Sequence, residues 1–379
     1  MKIFQITPYY PPGIGGATQR VRDLSERLSK KGNKIEVFTS DIKCPKNKQL
    51  RSTKNLKIHY LNAIEFAHTP IIPSLYKELM KISNDSIVHV HIAQAYIPEI
   101  VYQVCKRKRV PYIAHIRMDV RPSSFIGKLI LSPYKIFFLK KILKNAVKII
   151  VLNKDYSVLI QEKYNIPKKK IKIIPNATNF RVMKLKIFSK GDKLKFLAVG
   201  NLELQKNYLN LIKAISLLPK KVKGNLILNV AGEGPQKKKI SDLIRKLDLE
   251  KNILLHGRIE GKELENLYKE SDLFLLPSYA EGFSTVLLEA MSKGLPIITS
   301  NVLGNRSVIK DNYNGYLCDT NYESIAKIII KMIKNRNKWK TFSKNNIKEV
   351  KKYSWDKIVK QTEDVYREVL KENALKNKI

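Results

Sequence analysis

The sequence predicts an α/β protein made of two doubly wound halves with a crevice between them. Three observations carry this. Short apolar runs of strand length alternate with amphipathic helical patterns along nearly the whole chain. The alternation breaks once, at a polar, irregular stretch over 179–193, and then restarts. Finally, 379 residues with 44% hydrophobic content supply two or three ordinary cores, and no apolar run reaches transmembrane length.

In chain order, residues 2–6 read as a first strand rather than as the apolar part of a signal peptide. The loop TPYYPPGIGG follows, then a helix over 17–30 with Val21, Leu24 and Leu28 on one stripe. Strands are expected at 34–39, 87–91 and 112–115, with a helix over 97–107 between the last two. A helix over 133–145 carries Ile136, Phe137, Leu139, Ile142 and Leu143 as its apolar residues. A strand at 147–152, a helix at 156–164 and a strand at 171–174 close the first half. Beyond the linker, strands are expected at 194–200, 225–231, 253–256, 273–276, 294–300 and around Tyr316. Helices over 208–217, 237–247, 262–270 and 285–292 alternate with them, and a short turn of helix falls near Arg306. Three lysine-rich helices, 322–334, 338–353 and 354–373, finish the chain.

Lys and Arg number 72 against 33 Asp and Glu, a formal charge of +39. Such a surface favours an acidic partner, nucleic acid or an anionic membrane. A lysine excess spread evenly along the chain is equally explained by compositional bias. No zinc-finger, RNA-recognition or helix-turn-helix signature is present, which argues against nucleic acid. Cys44, Cys105 and Cys318 are far apart and lack CxxC spacing, as in a reducing compartment without structural zinc.

The stretch 272–300 is the most informative. An apolar strand ends at Pro277-Ser278, a polar loop holds Glu281-Gly282, and an apolar helix follows with Glu289 inside it. A carboxylate among Val286, Leu287, Leu288, Ala290 and Met291 is costly unless it is hydrogen-bonded. Ligands of open α/β sheets sit beyond the carboxyl ends of the strands. Glu281 and Glu289 are therefore candidate ligands for hydroxyl groups, or else charges favoured by the helix N-terminus. Gly13, Gly15 and Gly16 lie between the first strand and its helix, where backbone can approach an anion, though a plain Pro/Gly turn is the alternative. Their spacing is not the GxGxxG dinucleotide fingerprint. His89 and His91 alternate on a strand; His89 reads as structural. His115, at the end of another strand, is the better functional candidate. Gly200 ends a strand and Lys206 opens the next helix, where a lysine can neutralise phosphate. Gly232-Glu233-Gly234-Pro235 is a further strand-to-helix turn. No Asp-x-Asp pair suited to a metal–diphosphate is present.

Taken in order, PPGIGGATQRVRDLSERLSKKGNKIEVFT, HVH, AHIRMD, IPKKKIKIIPNAT, VGNLELQKN, AGEGP, LFLLPSYAEGFSTVLLEAMSKGLPIITS and NGYL resemble the family 4 retaining glycosyltransferases of the two-Rossmann GT-B fold. The most specific element is the pair Glu281 and Glu289, eight residues apart. The resemblance implies an acceptor-side domain over 1–180, a nucleotide-sugar domain over 181–353, and a last helix, 354–379, crossing back to the first domain. It implies that Glu289 holds the ribose hydroxyls. Glu281, with Gly282, Phe283 and Ser284, faces the sugar and diphosphate. Lys206 neutralises the diphosphate, with Asn201 and Gly232 on the loops around it. The Gly15–Gly16 turn approaches from the other domain, and His115 lies beside the transferred sugar.

Three positions depart from the family pattern. Asn201 stands where an arginine is usual, Ala177 where the closing turn has glycine, and Gly304-Asn305-Arg306-Ser307 where Gly-Gly-x-Glu is usual. Arg306 is the candidate replacement for the missing charge.

The implied reaction needs a UDP- or GDP-linked sugar and a glycan or lipid-linked acceptor, but no metal and no cofactor. Domain closure then excludes water. The segment 121–141 mixes aromatics with lysines and reads either as a peripheral contact with an anionic membrane, at the inner face of the cell membrane, or as a loop and packed helix. A nucleotide-sugar epimerase on the same fold and a non-catalytic glycosyltransferase-like subunit are the competing readings.

Overall fold

A computed structural model describes residues 1–12, 16–42, 44–66, 69–117, 133–179, 181–183, 186, 188 and 193–376. The chain forms two compact units: Met1–Pro175 with Asp356–Ile379, and Asn176–Trp355.

The first unit is a seven-stranded sheet, parallel throughout, of strands β1 (Lys2–Ile6), β2 (Lys34–Ser40), β3 (Leu56–Leu61), β6 (Ile87–Ile92), β7 (Tyr112–Ile116), β8 (Lys148–Val151) and β9 (Ile171–Ile173). Their order is β3-β2-β1-β6-β7-β8-β9. β4 (Ile64–Phe66) and β5 (Thr69–Ile71) form a separate antiparallel hairpin. The central strands are continuously apolar or fully buried, as a parallel sheet covered on both faces requires. β3, the hairpin and the helix Leu75–Met80 have no counterpart in the sequence expectation. β3 is a half-exposed edge strand and β4 is fully exposed, so neither carries the apolar signature of a buried strand.

The helical stretch over 133–145 contains a π-helical turn, Lys135–Leu139, before its last segment, Lys140–Asn145. The wider turn re-phases the stripe. Leu139, Ile142 and Leu143 are buried as expected, but Phe137 is 69% exposed.

The second unit is a six-stranded parallel sheet of β10 (Leu194–Val199), β11 (Leu226–Ala231), β12 (Ile253–Gly257), β13 (Leu273–Leu276), β14 (Ile297–Ser300) and β15 (Gly315–Cys318). Its order, β12-β11-β10-β13-β14-β15, reverses direction between β10 and β13. That reversal is the topological switch point where doubly wound sheets bind ligands. Phe196, Leu211, Ile215, Leu228, Tyr316 and Phe342 fill its core.

The last helix, Trp355–Lys376, belongs with the first unit for nearly all its length. Lys148, nearly buried on β8, bonds Glu368 at 2.9 Å and Glu372 at 2.6 Å on this helix. Among the described residues no helix is long and apolar enough to cross a membrane.

Candidate active site

At the switch point of the second unit, β10 ends at Val199, just before Gly200, and β13 at Leu276, just before Pro277. Lys206, in a short 3-10 turn, reaches Glu281 Oε1 with its Nζ at 2.7 Å. Ser278 Oγ donates to the same oxygen at 2.8 Å. Both partners are largely sheltered, with the Glu281 side chain 9% and the Lys206 side chain 18% exposed. A charge-assisted bond in such a place is strong because little water competes. Tyr208 sits beside the pair with its hydroxyl on Gly200 O at 3.2 Å. Burial, reinforced by the Glu281 charge, pushes the Tyr208 phenol well up, so it stays a neutral donor.

Two loops are cross-braced around this pair. Gln205 donates its side-chain amide to Ala280 O at 2.7 Å and accepts at its backbone carbonyl from Tyr279 N at 2.8 Å. Asn207, left-handed at φ 61°, donates to Pro277 O at 2.9 Å and Thr320 O at 2.7 Å. Asparagine tolerates that conformation where most side chains do not. Gly304 lies beneath the 281–282 peptide: a Cβ there would meet Glu281 O at 2.4 Å. Gly232 has a similar steric reason, since a Cβ would stand 2.0 Å from Gly200 O. The glycines at these strand ends let one loop backbone lie directly on another.

Glu281 leads through Gly282, Phe283 and Ser284 into the helix Thr285–Ser292. Phe283 is buried, packs edge-on against Tyr353, and its carbonyl accepts from Asn176 Nδ2 at 3.0 Å. Ser284 is the N-cap residue and is buried, without a side-chain cap bond. Glu289 is half-buried, and the Tyr268 hydroxyl donates to its Oε2 at 3.0 Å. Gly294, φ +67°, follows the C-cap residue Lys293, and a Cβ there would meet Ser343 Oγ at 2.6 Å. Asn201 is exposed and bonds Glu203 at 3.2 Å, and Arg306 is exposed on the short helix Leu303–Arg306.

In the first unit, strand register gathers a polar cluster. Gln5 on β1 is opposite His89 on β6, and His91 is opposite His115 on β7. All four side chains are buried. His89 stacks on His91 with ring centroids 4.4 Å apart and on His115 at 5.3 Å. Burial, with Arg117 nearby, holds His89 down to about 3. Burial and neighbouring positive groups likewise keep His91 and His115 well below the usual histidine range. Burial lowers Arg117 to about 10, which leaves it charged at neutral pH. Gly16 is the exposed first residue of the helix Gly16–Lys30, and Gly13 and Gly15 lie outside the described residues.

Two family models match in tandem. Residues 14–181 match Glycosyltransferase Family 4, and residues 180–349 match Glycosyl transferases group 1. The chain belongs to glycosyltransferase family 4. An uncharacterised glycosyltransferase of Methanocaldococcus jannaschii is 26% identical over 97% of this chain and 98% of its own. The UDP-Gal:alpha-D-GlcNAc-diphosphoundecaprenol alpha-1,3-galactosyltransferase of Escherichia coli is 31% identical over 65% of this chain and 66% of its own. The structure of Anabaena HepE in complex with UDP-glucose superposes with a TM-score of 0.73 at 16% identity, covering 96% of this chain and 99% of that one. The fold is therefore GT-B, and the activity is that of a glycosyltransferase.

In this family 4 member the structure brings Gly200, Lys206, Gly232, Glu281, Gly282, Phe283 and Ser284 to the loops of one switch point, with Glu289 on the helix that follows. His115 and Gly16 belong to the other unit. Sequence reasoning missed Gln205, Asn207, Ser278 and Tyr268. Only Asn207 had a local signal, an asparagine just before an apolar helix; Gln205 and Tyr268 are defined by partners tens of residues away, and Ser278 by the loop conformation that turns Glu281 back onto it.

Proposed function

We propose that this chain is a retaining, metal-independent glycosyltransferase. It moves a hexose from a UDP- or GDP-linked sugar to a hydroxyl of a glycan or lipid-linked acceptor, in cell-surface polysaccharide or glycolipid synthesis. The observation that carries the reading is the Lys206–Glu281 pair at the switch point, eight residues before the sheltered carboxylate of Glu289. A nucleotide diphosphate needs a cation for its phosphates and an acceptor for its ribose hydroxyls, and this constellation offers both. The relative from E. coli, named for a UDP-sugar and a diphosphoundecaprenol acceptor, supports that substrate class.

In the reaction the bond from the anomeric carbon to the phosphate oxygen breaks with its electrons on the diphosphate. Lys206 and the N–H groups of 282–284 stabilise that charge. The acceptor oxygen bonds to the same face of the anomeric carbon, and its proton passes to the departing phosphate oxygen. Glu281 faces the sugar, and Glu289 takes the ribose. His115 is the first unit's contribution to the sugar, and that unit takes the acceptor. The exposed Phe137 and Phe138, followed by Lys140, Lys141 and Lys144, support a peripheral contact with anionic lipid at the cytoplasmic face of the membrane. Most of the segment 121–141 that suggested it lies outside the described residues.

A thermal-shift panel of UDP-, GDP- and ADP-sugars tests the donor: at least one stabilises the protein, and none doing so refutes the reading. Chelator in the transfer assay tests metal independence, since a chain that loses turnover in EDTA needs an ion this account does not provide. Pelleting with anionic liposomes that disappears at high salt supports the membrane contact; no pelleting at low salt ends it.

A further inference from the structure

The buried cluster of the first unit is connected by hydrogen bonds whose direction can be worked out from one end. Arg117 Nη2 stands 3.4 Å from His91 Nδ1. A guanidinium has only donors, so His91 Nδ1 accepts, and a neutral His91 carries its proton on Nε2. His91 Nε2 lies 2.7 Å from Gln5 Oε1 and donates to it. That fixes the Gln5 amide, whose Nε2 donates to the Tyr366 hydroxyl at 2.9 Å. Tyr366 then turns its own proton to His89 Nδ1 at 2.7 Å. His89, accepting at Nδ1, is protonated at Nε2 and donates to His115 Nδ1 at 3.2 Å. His115 therefore keeps its proton on Nε2, the one imidazole nitrogen of the cluster with no hydrogen-bond partner among the described residues.

We propose that Arg117, His91, Gln5, Tyr366 and His89 form a one-way hydrogen-bond chain that holds His115 as its Nε2–H tautomer, ready to donate to a substrate oxygen and unable to act as a base. The five are positioning residues; His115 is the group that meets the substrate. That it meets a sugar oxygen rests on the glycosyl-transfer reading; the tautomer itself does not.

Three features favour a proton chain over a purely structural cluster. The four links from His91 to His115 are buried and the Arg117–His91 link is part-buried, so little water competes for the directions. A buried N–H without a partner is costly, and a site that keeps one is prepared for a ligand acceptor. Tyr366 reaches the cluster from the last helix, 251 residues beyond His115 in sequence (366 − 115), so the helix has a chemical as well as a packing role. The three imidazoles do have nitrogens within 4.8 Å of one another. A metal there would have to displace a hydrogen bond at one nitrogen of His89 and stand beside a guanidinium, which the proton chain avoids.

The test uses the full chain labelled with 15N. Two-bond correlations from the ring carbon protons to the ring nitrogens distinguish the Nε2–H, Nδ1–H and imidazolium forms. His115→Gln identifies the signal. At pH 7, wild-type His115 is expected as neutral Nε2–H; an Nδ1–H or imidazolium pattern overturns the proposal without any variant having to fold. In Tyr366→Phe the O–H that fixes His89 is gone, and His115 is expected to become a mixture of tautomers. With a bound donor, kcat should fall about tenfold or more while the nucleotide-sugar KM stays within about twofold. An unchanged His115 tautomer in Tyr366→Phe also overturns the chain. If the wild type binds no nucleotide-sugar, the glycosyl-transfer reading fails while the tautomer result stands on its own.

Discussion

Glu281→Gln is the substitution with the sharpest consequence. Glu281 neutralises Lys206 at 2.7 Å, and the glutamate side chain is only 9% exposed. A diphosphate oxygen that takes up Lys206 has to stand near this carboxylate, about 5 Å away. Two unit charges at that distance repel by about 2–3 kcal/mol at an effective dielectric of 20–40. Glutamine keeps the shape and can still accept from Lys206 and Ser278, but it removes the charge. The nucleoside diphosphate of the proper base should therefore bind Glu281→Gln about 10- to 100-fold tighter than wild type, the value falling at high salt. Transfer should drop by about 100-fold or more, since the group facing the sugar is altered. Calorimetry with the free diphosphate and a turnover assay with the intact donor read the two effects separately. Weaker or unchanged diphosphate binding in Glu281→Gln would refute the picture of Lys206 as a cation shared between Glu281 and phosphate.

Other expectations follow from buried groups and strained glycines. The three histidines of the first unit have native values pushed below the unfolded value of about 6.5, so the unfolded chain binds more protons in acid. Their stabilising effect is complete above pH 6.5 and is lost as pH falls from there toward the native values. Between pH 6.5 and 5.5 the loss is about 1 kcal/mol for each, near 3 kcal/mol in all, which denaturant titrations at the two pH values measure. A flat profile would show that the cluster is not held neutral. Gly294→Ala places a side chain at φ +67° and 2.6 Å from Ser343 Oγ, and should cost about 1–3 kcal/mol of second-unit stability by chemical denaturation. A loss below about 0.5 kcal/mol would mean that the helix end relaxes freely.

The sequence carries the fold where its signals are periodic. Buried parallel strands such as Leu273–Leu276 are visible as apolar runs, and Thr285–Ser292 as an apolar helix after a polar loop. It loses the fold where burial is partial. The edge strand Leu56–Leu61 mixes Lys57 and His59 with apolar residues, and the hairpin β4–β5 exposes Ile64 and Phe66. Phe137 is one of the apolar residues of the helix expected over 133–145, but it lies in a π-helical turn, which no composition announces, and is exposed. At the site, Glu281, Glu289 and Lys206 stand out because charge in an apolar or glycine-rich setting is locally anomalous. Their partners do not. Tyr268, Ser278, Gln205 and Tyr366 look ordinary in sequence, and only the folded chain brings them to Glu289, Glu281, Ala280 and His89. His89 reads as a structural histidine; the structure gives it bonds at both ring nitrogens, one of them to His115.

Under the proposed function, the second unit of this family 4 glycosyltransferase holds a nucleotide-sugar with Glu289 on the ribose. Calorimetric titration of the stabilising nucleotide-sugar into wild type and Glu289→Ala tests it most directly. Saturable binding is expected for wild type, with a loss of about 1–3 kcal/mol in the variant, roughly 5- to 150-fold in Kd, from the missing hydrogen bonds. Equal affinity for the two proteins, with the variant folded, would contradict it.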